Sequence, residues 1–266
     1  MGGWGGGLER RGTTWASTSR GGLVVGGVAR PPRRRSRLSA AAMSGLEDAL
    51  CDCLRGSGAT ALAGAAKPVG GGRVAVGDMF TCEGVVSAEA AARLVREAEG
   101  MGAFTRSTTE GMGPGYAFRD HGRASCESAE AAKLLWDRLG RGASLPLPAG
   151  AAGLNPAFRL YRYEGGGAQR FGAHVDESVE VAGGLRTGYT LLVYLSEVAA
   201  GGHTVFYGHG GVEVARVRPR PGLALLHVHG DRCLEHEAEA VAEGCKYVLR
   251  SDVVFHTRRR PTRKKR

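Results

Sequence analysis

The chain has 266 residues, 42% of them hydrophobic, enough for one ordinary domain with a sizeable core plus tails. No apolar run approaches the roughly 18 residues of a membrane-spanning helix, so no membrane span is expected. The net charge of +10 belongs to the ends. Residues 1–40 carry +7 and residues 257–266 another +7, which leaves −4 for residues 41–256. Nucleic acid is therefore expected to meet this chain only through its basic tails.

Residues 1–70 read as a disordered or transit-like leader and linker. "ARPPRRRSRLSAAAMSG" is basic, nearly free of acid and ends in small residues, like an organelle transit peptide; a solvated tail with no address is the alternative. "SGLEDALCDCLRG" is a possible short helix within it, and the Gly-rich "GATALAGAAKPVGGGR" reads as a linker. The basic tail 257–266, "TRRRPTRKKR", fits a nuclear signal. The expected location is intracellular, in an organelle or alternatively the nucleus. Six cysteines show only one close pair, Cys51 and Cys53, and no C-x-x-C, so mostly reduced thiols are expected.

Residues 71–256 read as the domain. "SAEAAARLVREAEG" predicts a helix with Ser87 as N-cap and Gly100 at its end. "SAEAAKLLWDRLG" repeats the plan from Ser128 to Gly140, with Leu134, Leu135, Trp136 and Leu139 as its apolar stripe. Between them "STTEGMGPGYAFRDHGRASC" has the composition of a loop. After residue 155 the texture turns to β: "AFRLYRY", "YTLLVYL", "TVFYG", "GVEVARV", "GLALLHVHG" and "KYVLRSDVVF" are short apolar or alternating runs between turns. The fold class is thus α+β, mainly β: a jelly roll with helices packed on its outer face.

"RFGAHVDESVEV" carries the first chemical signal. In an extended strand His174 and Asp176 project to one side, and together offer two ligands for a divalent metal. A second histidine would complete a 2-His-1-carboxylate set with open positions. Candidates are His203 and His209, which flank glycine turns, His227 and His229, whose alternation with Leu226 and Val228 suggests a strand surface, and His236. His236 is followed ten residues later by Lys246, at the start of a clear strand, and a turn could set the two on neighbouring strands. A lysine there could hold a carboxylate of a metal-chelating cosubstrate.

The ordered set H-x-D, "GGHT", His and Lys resembles the Fe(II)/2-oxoglutarate-dependent dioxygenases, and within them the prolyl 4-hydroxylase alpha-subunit catalytic domain. The likeness runs over "NPAFRLYRYEGGGAQRFGAHVDES", "YTLLVYLSEVAAGGHTVFY" and "VRPRPGLALLHVHGDRCLEHEAEAVAEGCKYVLRSDVVF", about residues 155–255, with a looser helical match from about 80. The resemblance implies a double-stranded β-helix, hydroxylation of a substrate C–H bond, foremost of a peptidyl proline, and decarboxylation of 2-oxoglutarate to succinate. It implies Fe(II), 2-oxoglutarate, O2 and L-ascorbate (vitamin C) as cofactors and cosubstrates, and a peptide or protein as partner. His174, Asp176 and His236 would ligate iron; Lys246 would pair with the distal carboxylate of 2-oxoglutarate. Tyr163 and Thr204 would contact the same molecule, and Tyr194 and Thr190, on one strand face, would line its pocket. Two positions depart from the family pattern: His203 stands where an acidic residue is common, and Asp252 where tryptophan is common. By strand parity Lys246, Val248, Arg250 and Asp252 face inward, so Arg250 and Asp252 are placed to pair. The alternatives are a nucleic-acid oxidative demethylase, which the −4 body disfavours, and a non-catalytic jelly-roll binding module, which would need a broken triad.

Overall fold

In the computed structural model the described residues are 40–56, 67–69, 78–110, 116–140 and 145–257. The transit-like leader up to residue 39, most of the expected linker, and the basic tail beyond 257 lie outside them. Helix α1 (Ala40–Gly56) is followed by β1 (Lys67–Pro68), β2 (Met79–Cys82), α2 (Ala88–Gly100), β3 (Thr105–Thr108), β4 (Arg119–Glu127) and α3 (Ala129–Arg138). The strand-rich part continues with β5 (Ala151–Leu154), β6 (Ala157–Glu164), β7 (Arg170–His174), β8 (Glu180–Val181) and β9 (Leu185–Tyr194). Then come β10 (Ala200–Gly201), β11 (Thr204–Tyr207), β12 (Glu213–Val217), β13 (Ala224–Val228), β14 (Glu235–Ala238), β15 (Val241–Glu243) and β16 (Cys245–His256).

One antiparallel path, β1-β2-β13-β9-β16-β6-β4-β7-β14-β11-β12, runs through most of these strands. It folds over at β4–β7, where the register holds only Arg119 opposite Phe171 and Asp120 opposite Arg170. The larger half, β2 to β4, thus faces the smaller half, β7 to β12, as in a jelly roll. The six strands read from the sequence after residue 155 are β6, β9, β11, β12, β13 and β16.

Strand alternation divides the core. One face of the larger half packs Phe158, Leu160, Leu191, Val193, Leu226, Leu249 and Val253 against the helices. The other face turns Tyr161, Tyr163, Tyr194, Leu225 and Val248 inward, toward Phe171, Phe206 and Val217 of the smaller half. Both expected helices form, and both expected N-caps act: the Ser87 and Ser128 side chains accept from the N–H groups of Ala90 and Ala131.

Two readings need correction. The helix foreseen after Ser44 begins at Ala40, and Leu46, Ala49, Leu50, Cys51, Cys53 and Leu54 are buried in the helix-side core. A domain boundary at residue 71 therefore leaves out a helix that packs on the domain. The segment taken as a loop between α2 and α3 holds the hairpin β3–β4. Its polar residues hide the strand, but tertiary pairing supplies what propensity does not. Arg106 grips Asp120 with two hydrogen bonds of 2.8 Å, and His121 is buried against Tyr161 and Tyr163.

Truncating Leu50 to alanine is expected to cost about 2–5 kcal/mol of unfolding free energy, read from urea denaturation. A loss below about 0.5 kcal/mol, the scale of a surface substitution, would show that α1 is not part of the domain.

Candidate metal and cosubstrate site

The site lies between the two halves of the sheet. His174 ends β7 and stands opposite His236 on β14, while His236 in turn stands opposite Phe206 on β11. Stacking fixes both imidazoles: His174 lies on Phe171 with ring centroids 3.7 Å apart and 12° between planes, and His236 lies on Phe206 at 5.3 Å and 26°. Each ring also bonds backward to a carbonyl two residues earlier, His174 Nδ1 to Gly172 O and His236 Nδ1 to Leu234 O, both at 2.9 Å. A carbonyl can only accept, so each Nδ1 carries the proton and each Nε2 keeps its lone pair.

Those lone pairs face Asp176. His174 Nε2 is 3.9 Å from Asp176 Oδ1, and His236 Nε2 is 3.8 Å from Oδ2. Ligand atoms of the three residues all lie within 4.8 Å of one another, a set that could hold a metal ion. Asp176 sits just beyond the end of β7, where the Gly230 N–H bonds to its carbonyl. Val175 between the two turns outward, as alternation requires; it is 49% exposed.

Electrostatics keep the donors ready to bind. Burial, reinforced by neighbouring His236, pulls the His174 pKa down to about 4, and burial lowers that of His236 as well, so both rings are neutral near pH 7. Burial alone would push the Asp176 carboxyl up, but the Arg250 charge, His227, His236 and the Thr190 hydroxyl outweigh it and hold the carboxyl well below its usual range. Thr190 Oγ1 donates to Asp176 Oδ2 at 2.5 Å, and an Arg250 guanidinium nitrogen donates to the same oxygen at 3.1 Å. His229 Nε2 stands 2.8 Å from Thr190 Oγ1 and donates to it, since the hydroxyl proton is committed to Asp176.

Lys246 lies in the same cavity, 1% exposed, opposite Tyr163 in the β16–β6 register. Its Nζ is 5.4 Å from the Tyr163 ring centroid and 5.6 Å from that of Tyr194. Among the described residues no carboxylate comes within ion-pair distance of it. Thr204 reaches the cavity because Gly201 and Gly202 turn the chain just before it, with φ of 73° and 71°. A Cβ at Gly201 would meet the Ala240 carbonyl oxygen at 2.5 Å, so the turn requires glycine there.

The cavity encloses about 420 Å³ of empty space, counting the open solvent at its mouth. Its walls bring together Tyr163, His174, Asp176, Thr190, Thr204, His236 and Lys246, the residues singled out in the sequence with one exception. Tyr194, expected at the wall, is completely buried behind it and gives its hydroxyl to Thr204 Oγ1 at 2.7 Å. Thr190 is at the wall, but its hydroxyl is spent on the Asp176 carboxylate.

Three features escaped the sequence reading. Arg250 does pair with Asp252, at 3.4 Å, but its shorter contact is with Asp176. His227 and His229, read as strand-surface residues, are 3% and 8% exposed. The reason is that β13 lies between β9 and β2 and is buried along its whole length. The unbroken apolar run "GLALL" before His227 was the available sign of a strand covered on both faces. His203 bonds through Nδ1 to Glu239 at 2.8 Å, so the acid missing from its position is met across the sheet.

Comparison with known proteins agrees with this geometry. Residues 158–251 match the model of the 2OG-Fe(II) oxygenase superfamily. No curated protein matches the chain. Among solved structures it is similar to a prolyl hydroxylase from Trichoplax adhaerens in complex with a hypoxia inducible factor peptide fragment, at 15% identity and TM-score 0.50, covering 81% of this chain and 93% of that one. It is also similar to the viral collagen prolyl hydroxylase of Paramecium Bursaria Chlorella virus-1 (17% identity, TM-score 0.49, 67% and 96% covered). A prolyl-4-hydroxylase of Pseudomonas putida matches at 16% identity and TM-score 0.47, with 68% and 93% covered. At such identities the likeness is one of fold. Among the described residues no helix is long and apolar enough to cross a membrane.

Thr190→Val removes the hydroxyl that orients Asp176 while keeping the side-chain volume. It is expected to weaken divalent-metal affinity about tenfold to a hundredfold in anaerobic calorimetric titration, with the circular dichroism spectrum unchanged. Unaltered affinity would mean that Arg250 alone suffices to hold the carboxylate.

Proposed function

We propose that the chain, whose residues 158–251 match the model of the 2OG-Fe(II) oxygenase superfamily, is a dioxygenase of that superfamily and hydroxylates a prolyl residue of a peptide or protein while 2-oxoglutarate is split to succinate and CO2. The observation that carries this reading is the presence, in one cavity, of a three-donor set and a buried lysine with no carboxylate within ion-pair distance among the described residues. Two neutral imidazoles and one ionised carboxylate fit Fe(II) and leave open positions for cosubstrate and oxygen. The chemistry that Fe(II) supplies when bound is oxygen activation coupled to decarboxylation of the cosubstrate.

His174 and His236 would hold the metal through Nε2 and Asp176 through its carboxylate, with Thr190 and Arg250 fixing the carboxylate plane. Lys246 receives the distal carboxylate of 2-oxoglutarate by a charge-assisted hydrogen bond. The Tyr163 hydroxyl bonds to the same molecule, and Thr204, held by Tyr194, shapes the pocket beside it. Phe171, Leu192 and Val248 keep the intervening wall apolar, which excludes water from the reacting centre. Ascorbate would return over-oxidised metal to the ferrous state. The prolyl assignment draws on the Trichoplax relative, which was solved with a peptide fragment. It draws also on the exposed Phe118 and Val175, which flank β7 and offer a peptide an apolar surface.

Incubation of the protein with Fe(II), 2-oxoglutarate, ascorbate and a panel of proline-rich peptides should add the mass of one oxygen atom to a peptide and release succinate in air but not under nitrogen. Succinate without any modified peptide would sink the prolyl assignment; no succinate with any peptide would sink the enzyme assignment. Lys246→Ala should weaken 2-oxoglutarate binding by about 1.5–3 kcal/mol, roughly tenfold to a hundredfold, with iron affinity nearly unchanged.

A pH dependence follows from the same lysine. Burial pulls its pKa down to about 7, only partly opposed by the Glu239 charge. A bound dicarboxylate raises that pKa again, so binding takes up a proton above pH 7. The affinity for 2-oxoglutarate should be greatest below about pH 7 and fall by up to about tenfold per pH unit above it. In Lys246→Arg the dependence should flatten, because a guanidinium stays charged throughout. A wild-type affinity that is level between pH 6.5 and 9 would remove Lys246 from the cosubstrate site.

A further inference from the structure

His227 lines the cavity but is neither a ligand nor a hydrogen-bonding partner in the site described so far. It is 3% exposed, and both ring nitrogens are buried without a hydrogen-bond partner among the described residues. A buried imidazole left in that state is costly, so a polar group or ion that meets it is strongly favoured. Its Nε2 lies 3.8 Å from Asp176 Oδ2, and its ring meets that of His236 edge-on, with centroids 4.4 Å apart. Cys233 is close to both rings. Its Sγ accepts from the Asp176 N–H at 3.3 Å and stands 3.5 Å from the Leu234 carbonyl oxygen. Ligand atoms of His227, Cys233 and His236 all fall within 4.8 Å of one another, as do those of the first set.

We propose that His227, Cys233 and His236 form a second metal site that takes a borderline-soft divalent cation such as zinc and excludes metal from the first. Two imidazole nitrogens and a thiolate suit zinc or cobalt, whereas the nitrogen and carboxylate donors of the first set suit iron. His236 can serve only one site at a time, because its Nδ1 is bound to the Leu234 carbonyl and only Nε2 remains. His227 is not a fourth ligand of the first site, since that would close a position that cosubstrate and oxygen need. Binding at the second site replaces the thiol proton of Cys233 by the metal and releases that proton to solvent. The pocket then has two states, one selected by iron with 2-oxoglutarate and one selected by a softer ion.

The test uses the full chain, stripped of metal and titrated anaerobically with cobalt(II) alone. In Asp176→Asn, which keeps the hydrogen bonds of that side chain but weakens the first set, one equivalent of cobalt should bind with a near-ultraviolet thiolate-to-cobalt absorption. Adding Cys233→Ser or His227→Phe to that variant should abolish the absorption and weaken cobalt binding at least about tenfold. His174→Ala serves as a second background and should keep the absorption if Asp176→Asn does not fold. Absence of the thiolate band from both backgrounds, or its survival in the His227→Phe double variant, overturns the second site. The wild-type visible absorption of the Fe(II) and 2-oxoglutarate complex reads the first site separately. If that absorption appears without any thiolate band, only the second site fails; a thiolate band without it removes only the reading of the first.

Discussion

A buried carboxylate needs partners, and Asp176 sets the terms for everything around it. It is 8% exposed, and taking an ion that far out of water costs several kcal/mol unless charge and hydrogen bonds replace the solvent. Arg250 and Thr190 supply them from β16 and β9, two neighbouring strands of the larger half-sheet. Asp176 follows β7, which belongs to the smaller half. The ion pair therefore spans the two halves and lets a ligand from one be positioned by residues from the other. Arg250 also carries Asp252, and Thr190 carries His229, so the polar network runs back into the sheet behind the donors.

The two halves divide the chemistry. His174 and His236 belong to β7 and β14, and both rings are clamped by aromatic neighbours within that half. Lys246 and Tyr163 belong to β16 and β6, adjacent strands of the larger half, whose back is covered by the helices. The proposed metal donors and the proposed cosubstrate anchor are thus borne on separate surfaces. Preorganisation comes from stacking on one and from core packing on the other.

What was legible in the sequence followed strand parity and local motifs. Alternation from Ala157 onward marked the strands, and the same alternation on β16 placed Lys246 and Arg250 inward with Leu249 and Val253 toward the helices. His174 and Asp176 were visible as a pair because they lie two positions apart along an extended chain. What was not legible depended on neighbours distant in sequence. β4 is a strand because β3, β6 and β7 pair with it, although Arg119, Asp120 and Arg123 look like loop residues. The burial of His227 depends on β2, about 145 residues earlier in the chain, closing over β13. The partner that Arg250 prefers lies 74 positions away, and parity along one strand could only suggest its neighbour Asp252.

Helix α1 has a consequence for how the chain is made. Its buried leucines, Leu46 and Leu50, share a pocket wall with Leu94, Phe158, Leu160 and Leu249. Leu249 leaves the ribosome about 200 residues after Leu50, which at about 5–20 residues per second is a delay of roughly 10–40 s. During that interval α2, β4 and α3 are made early, and β16, which completes the same pocket wall, comes last. Nascent chains of this protein therefore carry the apolar residues of α1 before the strands of the candidate site have been made.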